Sequence, residues 1–223
     1  MAVPERSWLD ALCRPSLGGA LTALDVVLVL AMWAAMTLAM MLPTTGPMIL
    51  TYAELADTAA RKGERIISPL VLTAGYVTVW FGFAALATAL QVALATIAQV
   101  DLTRAETPIS GMIFFAVGLY QFSVLKQACL TQCQHPFPFF LANWTTQLRG
   151  VFQLGLRQGL NCLGCCWALM LIMFAVGAMN VIWMAALGAI MAIEKIATNA
   201  RFAHMVGFTF IAIGAILVLS IMP

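Results

Sequence analysis

The chain has 223 residues, 63% of them hydrophobic and only 9% charged, with a net charge of +2 and a mean hydropathy of +0.97. A soluble domain needs roughly a quarter of its residues charged to cover its surface, so this composition excludes an ordinary soluble globule and fits an all-α, polytopic transmembrane helical bundle forming one domain over 1–223. Basic residues scattered over separate loops exclude a nucleic-acid partner, and the lack of alternating ten-residue segments excludes a transmembrane β-barrel.

The amino-terminal stretch "MAVPERSWLDALCRPSLGG" carries arginines but no short apolar core ending in a small-residue cleavage site, so no removable signal peptide is expected. About six spans are predicted, because apolar runs of roughly 20 residues are what a helix needs to cross the hydrocarbon core. The first covers 24–43 and ends at Pro43, which cannot continue the hydrogen-bond ladder undisturbed; a polar, partly helical loop over 51–68 follows. The second covers 69–98 and the third 109–130. The segment 134–158, with prolines, aromatic residues and an amphipathic end, is expected to lie in the membrane interface. Spans over 160–177, 179–196 and 202–222 complete the chain. Six spans place Arg6, Arg14 and Arg104 on the side of both termini, and Arg61, Lys62, Arg65, Lys126, Arg149, Arg157, Lys195 and Arg201 on the other. Cytoplasmic loops collect Lys and Arg, so both termini are expected on the periplasmic side.

The chemistry concentrates around one loop. Cys162, Cys165 and Cys166 stand at i, i+3 and i+4 and share a helix face, which Leu169, Met170 and Met173 continue. Lys126, Cys129, Leu130 and Cys133 form a second stripe, with His135 two residues beyond it. These residues are expected at one depth near the cytoplasmic interface. Met36, Met40 and Met41 end the first span on that side, and Asn180, Met184, Met191 and Glu194 form a stripe on the fifth. Thiolate, thioether and imidazole are soft donors that suit Cu(I), with zinc or iron less specifically implied; Glu194 is a harder donor or a group that orients a histidine. A reducing compartment keeps thiols free for metal. The neighbours Cys165 and Cys166 are not expected to bind one ion on a straight helix.

Plainer roles compete. Free cysteine and methionine also serve as packing residues. Glu194 and Lys195 suit an interfacial charge pair, and Lys126 and Arg157 suit snorkelling to anionic lipid as readily as binding a substrate. His204 reads as a helix-packing or interfacial residue, Cys13 as incidental, and Gly159, Gly164 and Gly177 as points of close helix approach.

The blocks "AMWAAMTLAMMLPTTGP", "YQFSVLKQACLTQC", "GLRQGLNCLGCCWALM" and "GAMNVIWMAALGAIMAIEK" together resemble the bacterial integral membrane family catalogued as predicted metal-binding proteins of unknown function. They come in that family's order over about residues 31 to 196. The resemblance implies a multi-pass protein of the bacterial inner membrane whose metal ligands fall among Met40, Met41, Cys129, Cys133, Cys162, Cys165, Cys166 and Glu194. Where that family has an arginine after the second cysteine, this chain has "CQHPFPFF", leaving His135 either a ligand or a local variant.

The leading expectation is therefore a metal-binding membrane protein, copper favoured, acting in metal handling or as a subunit of a larger membrane complex. The lipid bilayer, and other membrane subunits or further copies of the chain, are its expected partners. The alternatives are a membrane metallo-oxygenase or thiol oxidoreductase on an apolar or quinone-like substrate, a metal transporter using the methionines from Met32 to Met41 and Met184 to Met191, and a structural subunit that packs on its cysteines.

Overall fold

The computed structural model describes residues 22–96, 108–176, 181–197 and 200–220, and their regular structure is helical throughout. Helix α1 (Ala23–Met41) opens with a capping box. Asp25 N donates to Thr22 Oγ1 at 3.3 Å, while Thr22 N donates to the Asp25 carboxylate at 3.0 Å. Two otherwise orphaned N–H groups are satisfied, and a negative charge sits at the positive end of the helix dipole.

As expected, helix α1 ends just before Pro43; the chain tightens into a 3₁₀ turn, Pro43–Thr45, and resumes as α2 (Gly46–Arg61). Proline is tolerated there because it opens a turn, where its missing N–H has no partner to lose. The polar stretch over 51–68, expected to be partly helical, is helical up to Arg61. Helix α3 (Pro69–Thr96) follows. The predicted third span is broken: α4 (Pro108–Tyr120) and α5 (Val124–Gln134) meet at 64°. Ser123 sits at the break in extended conformation, and its hydroxyl accepts from Lys126 N at 3.1 Å. A side-chain cap of this kind starts a new helix rather than continuing the old one. After the short α6 (Pro136–Ala142), one helix, α7 (Leu148–Val176), runs without interruption where an interfacial segment and a separate span were expected. Helices α8 (Val181–Ile196) and α9 (Ala200–Leu219) close the described chain.

Four stretches are long and apolar enough to cross a membrane: Ala23–Arg61, Pro69–Leu94, Leu148–Val176 and Arg201–Leu219; the bent pair α4–α5 makes five. Helix α8 has 16 described residues, about 24 Å at 1.5 Å per residue, against a hydrocarbon core of about 30 Å. The described helices thus give four or five candidate spans where six were expected. Arg6, Arg14 and Arg104, on which the expected orientation rests, lie outside the described residues, as do Cys13, Gly177 and Asn180.

Helix α7 is the central post. Its apolar window is 61% buried, against 28% to 39% for the other three candidate spans, and it packs on α3, α4, α5 and α8. Glycines set how close the backbones come. A Cβ at Gly155 would land on Leu72 O of α3, and one at Gly75 on Phe152 O of α7. Gly159 faces Tyr76 O and Val79, as expected of a close-approach residue, and a Cβ at Gly164 would lie 2.5 Å from Cys129 Sγ. Helices α4 and α9 make a second glycine seam at Gly111, Gly118, Gly207 and Gly214. Without a hydrophobic drive between helices in lipid, such close packing is what holds them together. Aromatic rings fill the wider gaps: Trp33 stacks on Phe174 at 4.8 Å between centroids, and its indole N–H donates to Gln91 Oε1 at 2.7 Å.

Candidate metal centre

Helix α7 delivers three thiols to one point. Cys162, Cys165 and Cys166 are each at most 2% exposed, and their Sγ atoms all lie within 4.8 Å of one another. Three thiolates around one ion at about 2.3 Å stand roughly 4 Å apart, so the cluster is of ligating dimensions. Cys165 and Cys166 were not expected to share an ion, yet their Sγ atoms are 3.3 Å apart. Adjacent Cβ atoms diverge on a helix, but the Cβ–Sγ bonds rotate back toward each other. Cys165 Sγ also donates to Cys162 O at 3.1 Å.

A fourth thiol comes from α5. Cys133 Sγ is 4.0 Å from Cys165 Sγ, so the two predicted stripes meet here. Cys129 does not join them: one turn earlier on α5, it rests against Gly164, beside the Tyr120 hydroxyl that donates to Gly164 O at 2.6 Å. Helix α1 contributes a thioether, with Met41 Sδ 3.9 Å from Cys162 Sγ. Met40, also buried, packs instead near Gly188 of α8. His135 is exposed at the joint between α5 and α6, outside the thiol group. Replacing His135 by alanine is expected to leave the metal content of the purified protein unchanged; a loss of bound copper on elemental analysis would count against that placement.

Three charged or polar residues were misjudged from the sequence. Glu194 and Lys195 do not pair. Glu194 Oε2 accepts from Lys126 Nζ at 2.7 Å in an ion pair with both side chains 1% exposed. Lys126 is therefore in the core and cannot snorkel to lipid, while Arg157 stays exposed and donates to Asn143 Oδ1 at 3.3 Å. Lys195 turns the other way: its Nζ donates to Cys162 Sγ at 3.1 Å, Thr44 Oγ1 at 2.5 Å and Met41 Sδ at 3.9 Å. Tyr76 of α3 shares a hydrogen bond of 3.0 Å with Cys162 Sγ. Neither Tyr76 nor Thr44 was singled out beforehand. The only signal was Tyr76 amid the apolar run of α3, where a buried hydroxyl needs a partner. His204 behaves as expected of a packing residue, stacked on Phe122 at 5.2 Å and 17°.

Two of the thiols border a small cavity. It holds about 20 Å³, is partly open to solvent, and is lined by Thr44, Met48, Tyr76, Cys133, Gln158, Cys162 and Lys195, together with Thr45. Cys133 and Cys162 thus line the cavity, while Cys165 and Cys166 touch them without lining it. Gln158 holds one edge in place, donating through Nε2 to Gln132 O at 3.3 Å.

A helical bundle with clustered thiols, two of them bordering a cavity, and a thioether defines a handler of soft metal ions. Residues 30–217 match the PpoB2 family, described as a copper chaperone, and the chain belongs to that family. No curated protein and no solved structure matches it.

Proposed function

We propose that the protein is a multi-pass copper chaperone of the bacterial inner membrane. It receives Cu(I) at the cavity that opens on Cys133 and Cys162, holds it among Cys133, Cys162, Cys165 and Cys166 with Met41 beside them, and passes it to another membrane subunit. The observation that carries the reading is the convergence of the three α7 thiols within 4.8 Å, one of which, Cys162, lines a partly open cavity together with Cys133. Four or five helices of spanning length and composition support the membrane placement, and the copper-chaperone family supports the choice of metal. A chaperone needs ligands that exchange readily. A cluster with more sulfur donors than the two or three Cu(I) takes lets the ion step from Cys133 and Cys162, which line the cavity, to Cys165 and Cys166 beside them. The cytoplasmic face is favoured because thiols stay reduced there.

The test is elemental analysis of protein purified in mild detergent, under reductant and without chelator. Stoichiometric copper is expected in the wild type, and its loss in Cys162→Ser. A wild-type protein free of copper after loading with Cu(I) would sink the reading. Transport is a second reading, favoured by the buried methionines Met32, Met36, Met40 and Met41 along α1 and Met191 on α8. Copper flux into proteoliposomes, absent from a chaperone that only holds and hands on its ion, separates the two.

A further inference from the structure

Lys195 is oddly placed for a lysine. Its side chain reaches from the last turn of α8 into the thiol cavity. An ammonium carries three donors and is strongly hydrated, so it enters a protein interior for an anion or a set of oxygens. Here the adjacent carboxylate, Glu194, is turned toward Lys126, and Lys195 forms no ion pair among the described residues. Its three donors go to one hydroxyl and two sulfurs, Thr44, Cys162 and Met41. A fixed positive charge therefore rests on the same two sulfurs that a soft metal ion would use.

We infer that Lys195 makes the site selective for a singly charged metal ion over a doubly charged one. The inference rests on the copper reading and deepens it. Cys162 Sγ and Met41 Sδ, 3.9 Å apart, can both reach one ion at about 2.3 Å. With Nζ 3.1 Å from Cys162 Sγ, an ion bound to that thiolate lies no more than about 5.4 Å from the ammonium. Repulsion grows in proportion to the ion's charge and is weakly screened where water is scarce, so a divalent ion meets twice the penalty.

The charge balance points the same way. One Cu(I), two thiolates and the ammonium sum to zero. A divalent ion reaches neutrality only with a third thiolate, and uncompensated charge in a buried site is costly. Thiol chemistry alone does not discriminate, because thiolates bind zinc as well as Cu(I). Lys195 supplies the discrimination that the sulfur ligands lack.

The experiment is a chelator competition on the full-length, detergent-solubilised protein, with Cu(I) under reductant and Zn(II) measured separately for the wild type, Lys195→Gln and Lys195→Arg. Lys195→Gln is expected to reduce the preference for Cu(I) over Zn(II) by about tenfold or more, mainly through tighter zinc binding, whereas Lys195→Arg keeps the wild-type ratio. An unchanged ratio in a Lys195→Gln protein that still binds Cu(I) overturns the inference and leaves the copper reading standing. A wild type that binds no Cu(I) removes both. Should Lys195→Gln fail to fold, Lys195→Met, which removes the charge but keeps an apolar stem, takes its place and is expected to shift the ratio in the same direction. No shift there overturns the inference equally.

Discussion

Lys126→Met is expected to destabilise the protein by about 3–5 kcal/mol, because it leaves a buried carboxylate without its cation. Lys126 is 0% exposed and Glu194 2%, and the second carboxylate oxygen, Oε1, has no partner to take over. The pair links α5 to α8. It is reinforced by Gln134 Nε2, which donates to the backbone oxygens of Glu194 and Ala197 at 2.8 Å each. The large effect belongs to removing one partner, not to the net value of the pair. The double variant Lys126→Met with Glu194→Leu is therefore expected to recover most of the loss, since apolar groups of similar volume replace buried ion pairs at little cost. Thermal unfolding in detergent reads both, and a single variant as stable as the wild type would contradict the buried pairing.

The other large effect is expected at Gly155. An alanine there places its Cβ on Leu72 O, with Gly75 of the same helix also in contact. Backbone oxygens cannot rotate aside as a flexible side chain can, so α3 and α7 must separate, at a cost of about 3 kcal/mol or more. The separation also pulls the Tyr76 hydroxyl from Cys162 Sγ, so that copper binding falls along with stability. Gly82→Ala on the same α3 is the control. Nothing lies within 4 Å of its Cβ, and removing a helix-interior glycine is expected to be neutral or to stabilise by about 0.5–1 kcal/mol. If Gly155→Ala unfolded at the same temperature as Gly82→Ala, the backbone contact would be disproved.

What the sequence made legible was what periodicity encodes. Three cysteines at i, i+3 and i+4 must share a face, and they converge as read. Long apolar runs read as helices, and they are helices. The misreadings came from contacts that local spacing does not carry. Cys129 and Cys133 share a stripe on α5, but only Cys133 reaches the α7 thiols, because Gly164 receives Cys129 a turn away. Glu194 and Lys195 are neighbours in the chain, yet a rotation of about 100° per residue sends them to opposite partners. The break at Ser123 carries no proline or glycine to mark it, only the polar residues Gln121 and Ser123. Helix α7 was divided in two because its first turns are amphipathic, and amphipathic composition does not stop a helix.

The glycine contact between α3 and α7 also governs how the thiol site can yield. With Gly75 and Gly155 backbone to backbone, the wall bearing Tyr76 and Cys162 is as rigid as the helix axes themselves. The facing wall is tied differently, by a lysine on a hydroxyl and two sulfurs and by a thiol 4.0 Å from its neighbour. Those ties are side-chain contacts rather than main-chain contacts. The cavity is thus built like a vice with one fixed jaw, and on the proposed copper reading an arriving ion would be accommodated by the turning of Cys133 and Lys195 rather than by a shift of the α7 backbone at Cys162.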